Sequence, residues 1–434
     1  MANDETHRMP TAAPPPRLPD AHQPDSRYAL WRLLVTLLIM TVGSSGMYVV
    51  SVVIPAVQAD FGIDRAQASL PYTLLMIGFG IGGVLMGRLA DRFGLMCPLL
   101  GGAVALGLGY VACALAPHIV VFVAAQAVLV GLLGSSAAFA PLVADTSLWF
   151  VKRRGIAVAI CASGNYIAGA VWPPIVQHFV ETVGWRQTYL GLGVFCGVTM
   201  FGLALLMRPR PPAAVMNVAP AARAAGSPQM AGALRPFGLS LGMAQGLLCV
   251  AGTACCVAMA MPQVHIVAYC TDLGFGAARG AQMLSLMLAC GIVSRLVSGL
   301  VCDRIGGLRT LLLGSALQCV ALLLFLPFDG LVPLFVVSAM FGLFQGGIVP
   351  SYAIIVREHF PPAEAGARVG TVLMCTLLGM ALGGWMSGKV FDLTGSYHAA
   401  FVNGIAWNLL NMSIAATLLW RVRGRLAGMA ATRR

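Results

Sequence analysis

The sequence predicts an all-α membrane protein of twelve spanning helices in two pseudo-symmetric six-helix bundles, and three observations carry that expectation. Only 10% of the residues are charged and 59% are hydrophobic, against roughly 25% charged in a soluble domain. Apolar runs of about 20 residues, each enough to cross a hydrocarbon core of about 30 Å, recur from end to end. The chain also repeats itself: GRLADRFG at 87–94 returns as GLVCDRIG at 299–306, 212 residues later, and ETVGW at 181–185 has a counterpart in DLTGSY at 392–397.

Residues 1–28 are polar and Pro-rich (TAAPPPRLPD) and lack the apolar core of a signal peptide, so they read as a disordered cytoplasmic tail. Spans are predicted near 29–55, 68–89, 97–116, 119–147, 155–177 and 185–207, which make an N-terminal bundle over 29–207. The Pro-, Ala- and Arg-rich stretch 208–235 has no helical period and has linker composition. Spans near 237–268, 278–302, 309–327, 331–356, 366–391 and 397–420 make a C-terminal bundle over 236–422, followed by a short cytoplasmic tail, 423–434.

The formal net charge of +12 is a topology signal rather than a nucleic-acid one. With the N-terminus cytoplasmic, all but five of the 27 Lys and Arg fall on the cytoplasmic side. Arg65, Arg186 and Arg279 lie outside, and Arg295 and Lys389 lie within spans. This bias sets both termini in the cytoplasm, and the chain is expected in the cytoplasmic membrane. The twelve cysteines are scattered through apolar spans without metal or disulfide spacing, and read as packing residues. No metal and no cofactor are expected.

Gly-x-Leu-Ala-Asp-Arg-x-Gly between spans 2 and 3, repeated between spans 8 and 9, resembles the signature of the major facilitator superfamily over residues 29 to about 422. WFVKRRGIAVAICASGNYIAG, from Trp149 to Gly169, narrows the resemblance to the monocarboxylate transporters and the oxalate/formate exchangers. The resemblance implies secondary active transport by alternating access, with the substrate near the bilayer midplane. It also implies that Asp91, Arg92, Asp303 and Arg304 form a cytoplasmic gate whose contacts are made in one conformation only; a static anchoring pair at the membrane edge is the plainer reading. Arg153, within Lys152-Arg153-Arg154, joins that network with Asp145 or simply marks topology.

Arg295 is the residue that the membrane least explains. A central arginine costs about 2.5–3.5 kcal/mol on insertion scales. At helical period Gly291, Arg295, Ser298 and Cys302 share a face, with Ser294 beside it, while Val293, Leu296, Val297 and Leu300 form a bulky opposite face, so Arg295 points inward. Each of the fifteen acids maps to a tail, a loop or a helix end, which leaves Arg295 no counter-charge within the spans. A guanidinium so placed is a bidentate carboxylate site, and the equivalent position in the first half is Gly83. The alternative is a snorkelling arginine that reaches backbone carbonyls or Asp303.

Further substrate contacts are sought at Tyr48, Asn165, Tyr166, Gln345 and Tyr352, which could hydrogen-bond a hydroxy- or keto-acid or equally join helices. His265 near the outer end of span 7 is a candidate proton relay or outer gate. Animal-type monocarboxylate carriers have an Asp where this chain has Gly291, and a Lys in span 1, which here holds only Arg32 at its edge; this puts proton symport in doubt. Oxalate exchangers have a span-11 Lys where this chain has Thr376–Leu377, so one intramembrane cation points to a monoanion. The expected partners are a small organic anion, the bilayer and a co- or counter-transported ion, with no nucleic acid and a monomeric chain. The competing reading is a proton-coupled drug or metabolite exporter of the same superfamily; a membrane sensor lacks an output domain, and an intramembrane enzyme lacks a nucleophile–base pair.

Overall fold

The computed structural model describes residues 24–150, 154–209, 236–361 and 364–431. The tail expected over 1–28 as far as residue 23, most of the 208–235 linker, Lys152, Arg153 and residues 432–434 lie outside the described residues. Twelve helices are long and apolar enough to cross a membrane: α1 (Arg27–Phe61), α2 (Arg65–Phe93), α3 (Met96–Ala114), α4 (Ile119–Trp149), α5 (Arg154–Val183), α6 (Trp185–Leu205), α7 (Leu241–Asp272), α8 (Ala277–Ile305), α9 (Gly307–Leu324), α10 (Leu331–His359), α11 (Ala365–Thr394) and α12 (Tyr397–Ala431). They form two six-helix bundles, α1–α6 and α7–α12.

Local chemistry sets the boundaries. The hydroxyls of Ser26 and Ser240 accept from the Ala29 and Met243 N–H groups to start α1 and α7, and the Asp64 carboxylate accepts from Gln67 N–H at 2.7 Å to start α2. The last glycine of each repeated motif ends its helix in a backbone conformation that side chains disfavour: Gly94 after α2 has φ +86° and Gly306 after α8 has φ +82°. The two copies of the motif therefore share a conformation as well as letters. α1 is interrupted at Ser44 and α10 at Gly346–Gly347, and α4 carries a π-helical stretch, Gln126–Ser135, where the bare glycines Gly78 and Gly82 of α2 approach its backbone.

The chain alternates between two faces. Asp25 N–H donates to the Trp149 carbonyl at 3.0 Å, so the start of α1 and the end of α4 share the terminal face, where α12 also ends. The far face carries the start of α2 and the ends of α7 and α11. The bundles meet along two seams, α5 against α8 and α2 against α11. Val293, Leu296, Val297 and Leu300 are 47–66% exposed, so the bulky face expected for α8 does turn away from the bundles.

Candidate functional site

Arg295 sits on the α5/α8 seam. Its Nη1 donates to the Ala162 carbonyl of α5 at 3.1 Å, and its guanidinium lies 4.4 Å over the Tyr166 ring. Nε is buried without a partner, and among the described residues no carboxylate pairs with this arginine. The snorkelling alternative is half met: a carbonyl is reached, Asp303 is not. A Cβ on Gly291 would stand 2.5 Å from Tyr166 Cε1, so the ring fills the space that the carboxylate of animal-type carriers would need.

Three other sequence-predicted residues gather here or next to it. Tyr48 Oη donates to Asn165 Oδ1 at 2.6 Å, and Asn165 Nδ2 reaches Ser44 Oγ at 3.4 Å and Met47 Sδ at 3.3 Å. A Cβ on Gly169 would stand 2.8 Å from Tyr48 Cε1 and collide with Leu288 of α8, so that glycine lets α1, α5 and α8 close on one another. Ser285 of α8 donates to the Ala170 carbonyl. Gln345 is fully buried; its Oε1 accepts from Gln263 at 2.9 Å and its Nε2 has no partner. The next residue, Gly346, donates its N–H to Ser294 Oγ at 3.1 Å, which sets Gln345 beside the α8 turn that carries Arg295. Tyr352 is held elsewhere: its hydroxyl donates to Asn411, which with Asn408 is anchored on Ser315, inside the C-terminal bundle.

The far face holds a cluster that the sequence reading did not assemble. Arg65 of α2 donates from Nη2 to Asp272 of α7 at 3.1 Å and from Nη1 to the Tyr397 hydroxyl of α12 at 3.0 Å. Asp392 of α11 accepts from the Arg65 and Ala66 N–H groups at 3.0 and 2.7 Å, capping α2 from the opposite bundle. His265 is fully buried, with Nδ1 3.1 Å from the Tyr397 hydroxyl and Nε2 2.7 Å from the Gly384 carbonyl. A signal did exist. Arg65 and Arg186 are exceptions to the charge bias, and each is paired: Arg65 as above, Arg186 with Asp60 at 2.8 Å.

The terminal face is different. Asp91, Arg92, Asp303 and Arg304 are exposed, and no ion pair joins them among the described residues; Arg92 stacks over Phe93 at 5.2 Å. On this face Glu358 caps a neighbouring helix, its two oxygens each 3.2 Å from Gly307 N–H at the start of α9. Asp145 keeps its place near the end of α4 but is buried there. It is 7% exposed within α4 and bidentate with Arg32, at 2.9 and 3.1 Å. The start of α1 folds over the last turn of α4, with Tyr28 and Arg32 against the Trp149 ring, and burial of that kind leaves no mark in periodicity. The pair lies inside one bundle, and it neutralises Asp145, so Arg295 is still without a counter-charge. Arg153 lies outside the described residues.

The family model of the Major Facilitator Superfamily matches residues 36–333 and again 246–432. The chain belongs to this superfamily. It is accordingly a multi-pass membrane transporter of small molecules and not an enzyme. The transporter is 26% identical over 356 residues to the MFS-type transporter opdF of Penicillium oxalicum, covering 80% of this chain and 78% of that one. It is 28% identical over 310 residues to monocarboxylate transporter 13 of Rattus norvegicus, covering 67% and 66%. In fold it is similar to a bacterial homolog of the human lysosomal transporter Spinster, solved in an inward-facing and occupied conformation, with a TM-score of 0.70, 14% identity and coverage of 92% and 98%.

Proposed function

We propose that this transporter moves a small organic monoanion, a monocarboxylate first of all, across the cytoplasmic membrane by alternating access. The observation that carries the reading is Arg295, a guanidinium on the seam between the bundles with a buried, unpartnered Nε and, among the described residues, no carboxylate paired with it. A permanently charged group in a membrane interior needs a partner, and a substrate carboxylate supplies both the charge and the planar acceptor pair that a guanidinium fits. The unpartnered Nε2 of Gln345 offers a donor to a carbonyl or hydroxyl on the same substrate, and Tyr48 and Asn165 border the site from α1 and α5. The similarity to monocarboxylate transporter 13 supports the substrate class.

The distribution of Lys and Arg supports a cytoplasmic terminal face. On that reading the cross-bundle contacts of Arg65 seal the outer face, and the unpaired Asp91, Arg92, Asp303 and Arg304 are gate residues in their open arrangement. A cation exporter draws less support, because Asp145, buried near the end of α4, is already neutralised by Arg32. The test is uptake of a labelled monocarboxylate panel into proteoliposomes, with and without a pH gradient. Saturable transport of a monocarboxylate is the expected result; transport confined to neutral or cationic substrates would overturn the reading.

A further inference from the structure

The hydrogen-bond roles around His265 follow from the chemistry of its two partners. The Gly384 carbonyl can only accept, so Nε2, 2.7 Å away, carries a hydrogen. The Tyr397 oxygen accepts from Arg65 Nη1, and its own hydrogen is then free to point at Nδ1, 3.1 Å away. The chain of donors runs from Arg65 through Tyr397 and His265 to Gly384, and it crosses from one bundle to the other. The Tyr397 hydroxyl and both ring nitrogens of His265 are satisfied when the imidazole is neutral.

A second proton on the ring breaks this chain. Nδ1–H would oppose the Tyr397 O–H, and the new positive charge would stand beside Arg65. The groups around the ring offer no relief. Asp272 and Asp392, on α7 and α11, are engaged by Arg65 or by the start of α2. Tyr269 on α7 packs edge-on against Tyr397, and Tyr72 on α2 lies against Gly384. The doubly protonated ring therefore fits only a state in which the bundles have parted at the far face and Arg65 has left Tyr397.

We infer that His265 is a proton-operated latch of the far face, taking up a proton from the far side when the bundles part there and returning it to that side before they can close again. Acid on the far side then favours the far-open state by linkage, because that state binds one proton more. This rests on the alternating-access reading above, and it makes opening of the far face depend on far-side pH without any carboxylate at position 291. The proton goes from water to Nδ1 and returns to water, and no other bond changes.

The test needs no substrate, so it stands or falls separately from the anion site. Spin labels carried on unnatural residues at Val183 and Leu393, both exposed at far-face helix ends, report the separation of the bundles in lipid nanodiscs by double electron–electron resonance. Between about pH 7.5 and about pH 5.5, a range that spans the titration of an ordinary imidazole, the wild type should shift to longer separations. His265→Gln keeps one acceptor and one donor but cannot take a proton, and should hold the short separation at both pH values. His265→Asn, with its acceptor nearer the Nδ1 position, serves if the Gln variant does not fold. A wild type that does not respond to pH, or a variant that responds as the wild type does, overturns the inference.

Discussion

The two seams between the bundles are copies of one another and have been put to different uses. The 212-residue offset sets Arg295 of α8 against Gly83 of α2, and Asn165 of α5 against Leu377 of α11. Along α5/α8 the middle of the seam is polar, with Arg295 over Tyr166, the Tyr48–Asn165 bond and Ser285 on the Ala170 carbonyl. Along α2/α11 the middle is mainly apolar: Gly80 faces Met374 and Leu377, and Thr73 bonds the Ala381 carbonyl at 3.1 Å. Charge enters that seam at the far end, where Arg65 meets Asp392 and, on α7, Asp272. Packing does not impose the contrast. A Cβ on Gly83 would meet nothing nearer than Ala140 at 3.7 Å. Duplication supplied one backbone frame twice; on our reading, one copy holds the cargo and the other latches the far face. The same divergence recurs at Asp60 and Asp272, again 212 residues apart: Asp60 pairs inside its own bundle with Arg186, Asp272 across bundles with Arg65.

Removing charge from one seam should cost transport, and removing it from the other should cost closure. The largest effect is expected from Arg295→Ala, a fall in kcat/KM of about 100-fold or more, near 3 kcal/mol, from loss of a charged partner to the substrate. Arg65→Ala comes next. It breaks a mostly buried group whose partner Asp272 is partly exposed, and should move the closed–open balance at the far face by about 2 kcal/mol toward open, read as faster labelling of far-face positions. An equal loss of substrate affinity in the two variants would erase the contrast. Gly291→Ala pushes a methyl into the Tyr166 ring beneath Arg295 and should raise KM roughly fivefold, about 1 kcal/mol of overpacking; an unchanged KM would show that the ring is free to move. Tyr48→Phe removes one interhelical hydrogen bond and should change KM no more than about threefold, for about 0.6 kcal/mol.

The architecture was legible because bilayers impose it. Spans, their number and the duplication follow from apolar run length and a motif repeated at a constant offset. Arg295 was legible because a charge stands out where charges are costly, and its inward direction follows from the bulk of Val293, Leu296, Val297 and Leu300. Which polar residues meet is a different kind of fact. Gln345 and Tyr352 lie seven apart on one predicted helix, but α10 breaks at Gly346–Gly347, and the two side chains find different partners. Asp145 reads as an edge residue because nothing in its own helix reports that α1 will cover it. The Arg65 cluster draws on α2, α7, α11 and α12, so no local window contains it, and only the cost of arginines on the far face hints at it.

The central claim, an anion site on one seam and a latch on the other, is tested most directly by equilibrium binding. Isothermal titration of purified protein with the transported carboxylate should give a Kd for the wild type, no measurable heat for Arg295→Ala, and a Kd within a few-fold of wild type for Arg65→Ala. An Arg295→Ala variant that binds the carboxylate as the wild type does would contradict the account.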